Sequence, residues 1–154
     1  MADQTEPLLF LRFIGSSLDR LVACLEGLSA DELNWRPQAP AANSLYALAI
    51  HTLGNAEENI LETLGGQVVG RDRKGEFAVS GDSVEAVAAR WRELRERLAW
   101  TLTELPASAL DAEYSHPRRG TVTGRAILIV VARHAAEHLG QAELTRDLLR
   151  AMRG

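Results

Sequence analysis

Four stretches of this chain carry apolar residues at spacings of three and four, and no stretch reads as a convincing strand. Along residues 6–28, Leu11, Ile14, Leu18, Leu21, Leu25 and Leu28 make one stripe. A second pattern starts at Asn43 or Ser44, either of them a good N-cap, and ends at Leu64–Gly66. A third follows Ser83 and runs through Val84, Val87, Trp91, Leu94, Leu98, Leu102 and Leu105 to a stop at Pro106. The fourth starts at Thr121 or Thr123 and continues to Met152. Its opening "AILIVVA" is rich in β-branched residues, yet the spacing carries on through Leu144, Leu148, Leu149 and Met152, which predicts helix. Four such rods hide their stripes best by packing on one another, so the expectation is an all-α four-helix bundle. The segment "GLSADELNWRP" reads as a loop or short turn, and Gly65–Asp82 as the longest connection.

At 154 residues the chain is the size of one domain, taken as 1–154, with no internal repeat. A net charge of −4 argues against a nucleic-acid partner, which usually requires a basic face. The longest apolar run, Ala126–Ala132, is far short of the roughly 20 residues that span a membrane. The start "MADQTEPLLF" lacks the basic and apolar regions of a leader, and Cys24 has no partner for a disulfide, so a reducing cytoplasmic location is expected. Cys24 itself reads as a buried, inert thiol.

Chemistry concentrates in "RHAAEHLGQ". His134 and His138 lie about 40° apart on a helical wheel, on the side that carries Ile127, Val131, Thr145, Leu149 and Met152. Two inward imidazoles at this spacing are either ordinary buried polar groups satisfied by carbonyls or the halves of a metal site. A third, His51, sits midway along the second helix on a stripe with Ser44, Ala47, Asn55, Glu58 and Glu62. That stripe is either an exposed polar face or the lining of a polar pocket. His116, in "EYSHPRRGT", reads as solvent-exposed, and Arg118 and Arg119 as a solvated turn or an anion contact. Glu137 reads as a surface partner of Arg133, and Trp35, Trp91 and Trp100 as core or loop anchors. A zincin site is excluded, because Ala135 stands where its catalytic glutamate belongs.

With its "LEGLSADELNWRP", "SLYALAIHTLGNAEENIL" and "HAAEHLGQAELTRDLLR", the chain resembles the DinB-like superfamily, small metal-binding four-helix bundles related to damage-inducible proteins and thiol-dependent transferases. That family has one histidine in its second helix and HxxxH followed by Gly-Gln in its fourth. These map onto His51, His134 and His138, with Gly140 and Gln141 following. The resemblance implies up-down-down-up topology, with Gly65–Asp82 as the crossover between helices two and three. It also implies a three-histidine metal site and a homodimer.

Three neutral imidazoles leave a divalent ion its full charge and an open position, the arrangement of a reactive site. Zinc and nickel suit such ligands, as does iron. Asn55, one turn from His51, and Gln141, near His138, are expected to orient ligands or touch substrate, and Glu58 to act as a general base. The activity that the resemblance implies is metal-dependent S-transfer from a low-molecular-weight thiol to a small electrophile. The alternatives are metal-dependent hydrolysis and a non-catalytic metal-binding stress protein.

Overall fold

A computed structural model describes residues 5–154, and within them the chain is mostly helical. The first four residues, part of the leader reading, lie outside the described residues. Helix α1 spans Glu6–Ala23, with Pro7 in its first turn, where a missing N–H costs nothing. Its stripe is buried as expected, but the rod ends earlier than Leu28, in a turn closed by Gly27 at φ 71°. The following segment is more regular than a loop. It forms a short helix α2, Ala30–Asn34, started by a capping box in which the Ser29 hydroxyl and the Glu32 carboxylate satisfy each other's backbone N–H.

Ser44 caps α3, Leu45–Ala56, by accepting from the Ala47 N–H at 3.1 Å. The rod then continues as a π-helix, Glu57–Leu64, not as the plain α-helix expected. Such wider turns insert a residue and re-aim the side chains beyond them. Helix α4 spans Glu85–Glu104 and stops just before Pro106. Helix α5 spans Gly124–Arg153, so "AILIVVA" is helical, and Thr123 caps it by accepting from the Ala126 N–H at 3.2 Å. Thirty residues make α5 about 45 Å long.

α1 packs on α4 and α5, and α3 on α5, around a core that includes Leu18, Leu53, Leu61, Leu98 and Ile127. Cys24 is buried in it, and burial pushes its thiol pKa up. Trp91 is buried and donates to Asp19 at 2.8 Å, whereas Trp100, expected as an anchor, is 65% exposed. Met152, expected inward, is 60% exposed. Among the described residues no helix is long and apolar enough to cross a membrane.

The expectation of no strand fails at one place. Strands β1, Glu113–His116, and β2, Gly120–Thr123, form an antiparallel hairpin with Tyr114 opposite Val122. Gly120 takes φ 69° at the end of the turn, a conformation that favours glycine. Each strand has four residues, too few for an alternating pattern to stand out.

Candidate metal centre

Helix α3 presents His51 inward. Ser44, Ala47, Asn55 and Glu58 on its stripe are buried with it, and only Glu62 reaches solvent. The stripe is therefore a polar pocket lining. His51, on α3, meets His134 and His138, one turn apart on α5. His51 Nε2 lies 3.0 Å from His134 Nε2, which lies 3.1 Å from His138 Nε2. All three rings offer a nitrogen within 4.8 Å of the others.

The opposite nitrogens decide what those three atoms are. His51 Nδ1 lies 2.9 Å from Glu76 Oε2. Burial pushes the Glu76 pKa up, but His51 and Arg71 outweigh it and hold the carboxyl below its ordinary range. Glu76 is thus ionised and only accepts, so His51 carries its proton on Nδ1. His138 Nδ1 donates to Gln141 Oε1 at 2.8 Å, the contact expected of Gln141. His51 and His138 therefore both turn bare Nε2 lone pairs toward the Nε2 of His134, which has at most one proton to give. Protonating His134 or His138 does not resolve the conflict at neutral pH. Burial, then the neighbouring histidines, pushes the His134 pKa down to about 3, and burial pushes His138 down as well.

One proton on His134 Nε2 meets only one of the two facing lone pairs, whereas a cation would accept all three Nε2 atoms. A tetrahedral ion with nitrogen ligands at about 2.0–2.1 Å holds them about 3.3–3.4 Å apart, near the two short separations here. Sharing of a buried carboxylate between a ligand histidine and its surroundings is also the usual support of such a site. His134 Nδ1 alone lacks a protein partner among the described residues.

Glu76 and its neighbour Arg71 escaped the sequence reading, which treated Gly65–Asp82 as a connection. A short 3-10 turn, Gly75–Phe77, delivers Glu76 beneath α3. Arg71 donates to Glu76 from Nε at 2.7 Å and to Glu58 at 3.0 Å. Arg118, from the hairpin turn, pairs with the same Glu58 carboxylate through both its terminal nitrogens. Glu76, Arg71, Glu58 and Arg118 thus form one chain of alternating charge that ends on His51. The one sequence signal that could have found it is Gly54, a glycine in mid-helix that costs about 1 kcal/mol relative to alanine. A Cβ there would lie 2.2 Å from Glu76 Oε1 and 3.1 Å from Arg71 Nε. The glycine is the gap through which the ion pair reaches the helix.

Glu58, expected as a general base, is committed elsewhere. Burial pushes its pKa up, but Arg118 and Arg71 outweigh it and hold it below the ordinary value. A carboxylate so held is a poor proton acceptor. Asn55 makes no hydrogen bond to His51 among the described residues. Its Oδ1 is buried without a partner, and the ring is oriented by Glu76 instead. Arg118 lies in an exposed turn, as expected, and also pairs with Glu58. Glu137 lies 3.6 Å from Arg133 on the outer face, as expected.

His116 reverses its expectation. It is 3% exposed, donates from Nε2 to Asn59 Oδ1 at 3.0 Å, and accepts the Arg118 backbone N–H on Nδ1 at 3.1 Å. Burial, then the charge of Arg118, pushes its pKa down. It is a neutral, fully paired ring outside the cluster.

The comparisons with known proteins agree with this architecture. A crystal structure described as a conserved protein from Enterococcus faecalis superposes with a TM-score of 0.76 at 17% identity, covering 96% of this chain and 98% of that one. A DinB-like protein from Bacillus cereus superposes with a TM-score of 0.71 at 19% identity, covering 91% and 90%. None of the curated proteins matches the sequence. The family model of the DinB superfamily matches residues 15–142, a span that includes all three histidines of the cluster, and the chain belongs to that superfamily.

Proposed function

We propose that the protein holds one divalent metal ion on His51, His134 and His138 and uses it to transfer a low-molecular-weight thiol to an electrophile. The observation that supports this reading is the convergence of three imidazole Nε2 atoms with fewer protons than contacts between them. Zinc and nickel are the ions that suit the ligand set best, with iron as a further candidate. When bound, the ion supplies a full double charge and an open position, which lower the pKa of a thiol or water placed there.

The chain's own residues prepare for this. Glu76 fixes the tautomer of His51 and Gln141 that of His138, so both rings meet the ion as bare lone pairs. Arg71 holds Glu76 in place and balances its charge. The buried carboxylates Glu58 and Glu76 are both tied to guanidiniums, and neither is free to take a proton from water. That favours a thiol over water, because a thiol loses its proton more readily without help. In the same reading the four rods run up-down-down-up, with Gly65–Asp82 as the crossover.

Purified protein should contain about one equivalent of metal, and His134→Ala should bring this to background. Mixing the loaded protein with a panel of thiols and monochlorobimane should give conjugate well above the metal-free rate. Equal rates with and without metal end the transferase reading. Ester or amide cleavage without thiol replaces it with hydrolysis.

A further inference from the structure

From a cavity beside the cluster we infer that the substrate is an uncharged compound with an apolar body, seated between α5 and residues 37–43. The inference rests on the metal-site reading above and names the substrate class for that site. The cavity has a volume of about 450 Å³, the size of a small-molecule pocket. His138 and Gln141 form one end of it, so it opens beside the ligand ring and the amide that orients it. Leu48, Leu144 and Leu148 form much of the rest, and no Asp, Glu, Lys or Arg lines it.

The lack of charge continues outward as far as Trp35 and Met152, beyond which Asp31, Glu32 and Arg153 line the next hollow. A second hollow of about 660 Å³ shares Pro37, Ala39 and Leu148 with the first and adds Trp35 and Met152, again without a charged side chain. In a chain that is 25% charged, an uncharged wall of this extent beside an ion site is selective. A hollow of about 540 Å³ between α1 and α4 is the contrast. It is lined by Arg12, Asp19, Arg20 and Arg95 and shares no residue with the cluster.

The wall is also built at a conformational cost. Ala41 takes φ 61°, the one left-handed residue other than glycine among those described. Arg36 compensates from outside the cavity, donating to Ala42 O and Asn43 Oδ1, each at 3.2 Å, and to Phe77 O. Phe77 stacks on His51 with ring centroids 4.5 Å apart. The loop that walls the cavity is thereby fastened to the segment that carries Glu76. A charged ligand here would give up its hydration with no counter-ion to replace it. An alkyl body would exchange water for Leu144 and Leu148, which are 62% and 41% exposed without it.

Two titrations separate this inference from the reading beneath it. In cobalt-loaded protein, ethanethiol, butanethiol and hexanethiol should shift the visible spectrum at falling concentrations, by up to about fourfold per methylene. Glutathione should need at least tenfold more than hexanethiol. Leu148→Asp should keep its cobalt and lose the chain-length trend. In metal-free protein, calorimetry should find 1-hexanol binding at least tenfold more tightly than hexanoate. If cobalt does not bind, the metal-site reading falls, and the hexanol comparison still decides the cavity. A flat chain-length series, tighter glutathione, or equal binding of hexanol and hexanoate overturns the inference. So does a dimer that Leu148→Asp dissociates without any hexanol preference, because the face is then a subunit contact.

Discussion

His116 and His51 are buried almost equally, at 3% and 4% exposure, and both lie among polar residues. What separates them is where their nitrogens go. His116 gives its one proton to Asn59, accepts one from the Arg118 backbone, and is complete. His51 spends its proton on Glu76 and turns a lone pair toward His134, whose one available proton is contested by His138. A buried imidazole is therefore no sign of a metal. A buried imidazole whose second nitrogen meets only other acceptors is.

The sharpest way to break this contrast is to remove the charge that supports one side of it. Arg71→Met leaves Glu58 and Glu76 buried with one fewer cation, and removing one partner of a buried ion pair costs about 3–5 kcal/mol. Chemical denaturation at neutral pH measures it. A loss below 1 kcal/mol means the pair is wetter than its burial indicates. Next comes His116→Ala, which strands Asn59 Oδ1 in the interior. It should cost about 1–3 kcal/mol while leaving metal content unchanged. Loss of metal in that variant erases the distinction between the two regions.

A gentler change acts on the support of the ligand ring. Glu76→Gln keeps the shape and a hydrogen-bond acceptor for His51 Nδ1–H but removes the charge. Metal affinity should fall about 10- to 100-fold. Competition with a chromophoric chelator reads this directly, and an unchanged affinity removes Glu76 from the site.

These residues also mark what the sequence could and could not reveal. The rods were legible because a stripe such as Leu94, Leu98 and Leu102 is a local property of spacing. His51 joined His134 and His138 through the family resemblance, and the inward direction of that pair was legible because both lie on a long rod, where a wheel fixes it. Whether His51 faced a pocket or water was not, because the wheel gives a direction and not a neighbour. Glu76 was hidden for a related reason. It reaches the site by way of a loop whose path depends on tertiary contacts, and only Gly54 registered its approach. The hairpin was hidden by its brevity, and His116 with it, since its burial comes from pairing across that hairpin and from Asn59.

The smallest effect uses pH, and its direction follows from the ordinary histidine pKa of about 6.5. In the metal-free protein His116, His134 and His138 all have pKa values below that, for His134 about 3, first of all because burial disfavours the charged ring. At pH 7.5 the folded and unfolded chains both hold these rings neutral, so none of them changes stability. As the pH falls through 6.5 the unfolded chain takes up protons that the folded one refuses. Stability drops from there, and the drop continues until each folded pKa is reached. One such ring contributes at most about 1.4 kcal/mol per pH unit. His116→Ala should therefore flatten the fall in stability between pH 6.5 and 5.5 by no more than that amount. His134→Ala should flatten the same interval to a similar extent. The two histidines, placed differently with respect to the cluster, thus behave alike toward protons, because burial is the largest cause of both shifts. Denaturation midpoints at half-unit pH steps test the point, and a steeper fall in either variant than in the parent contradicts it.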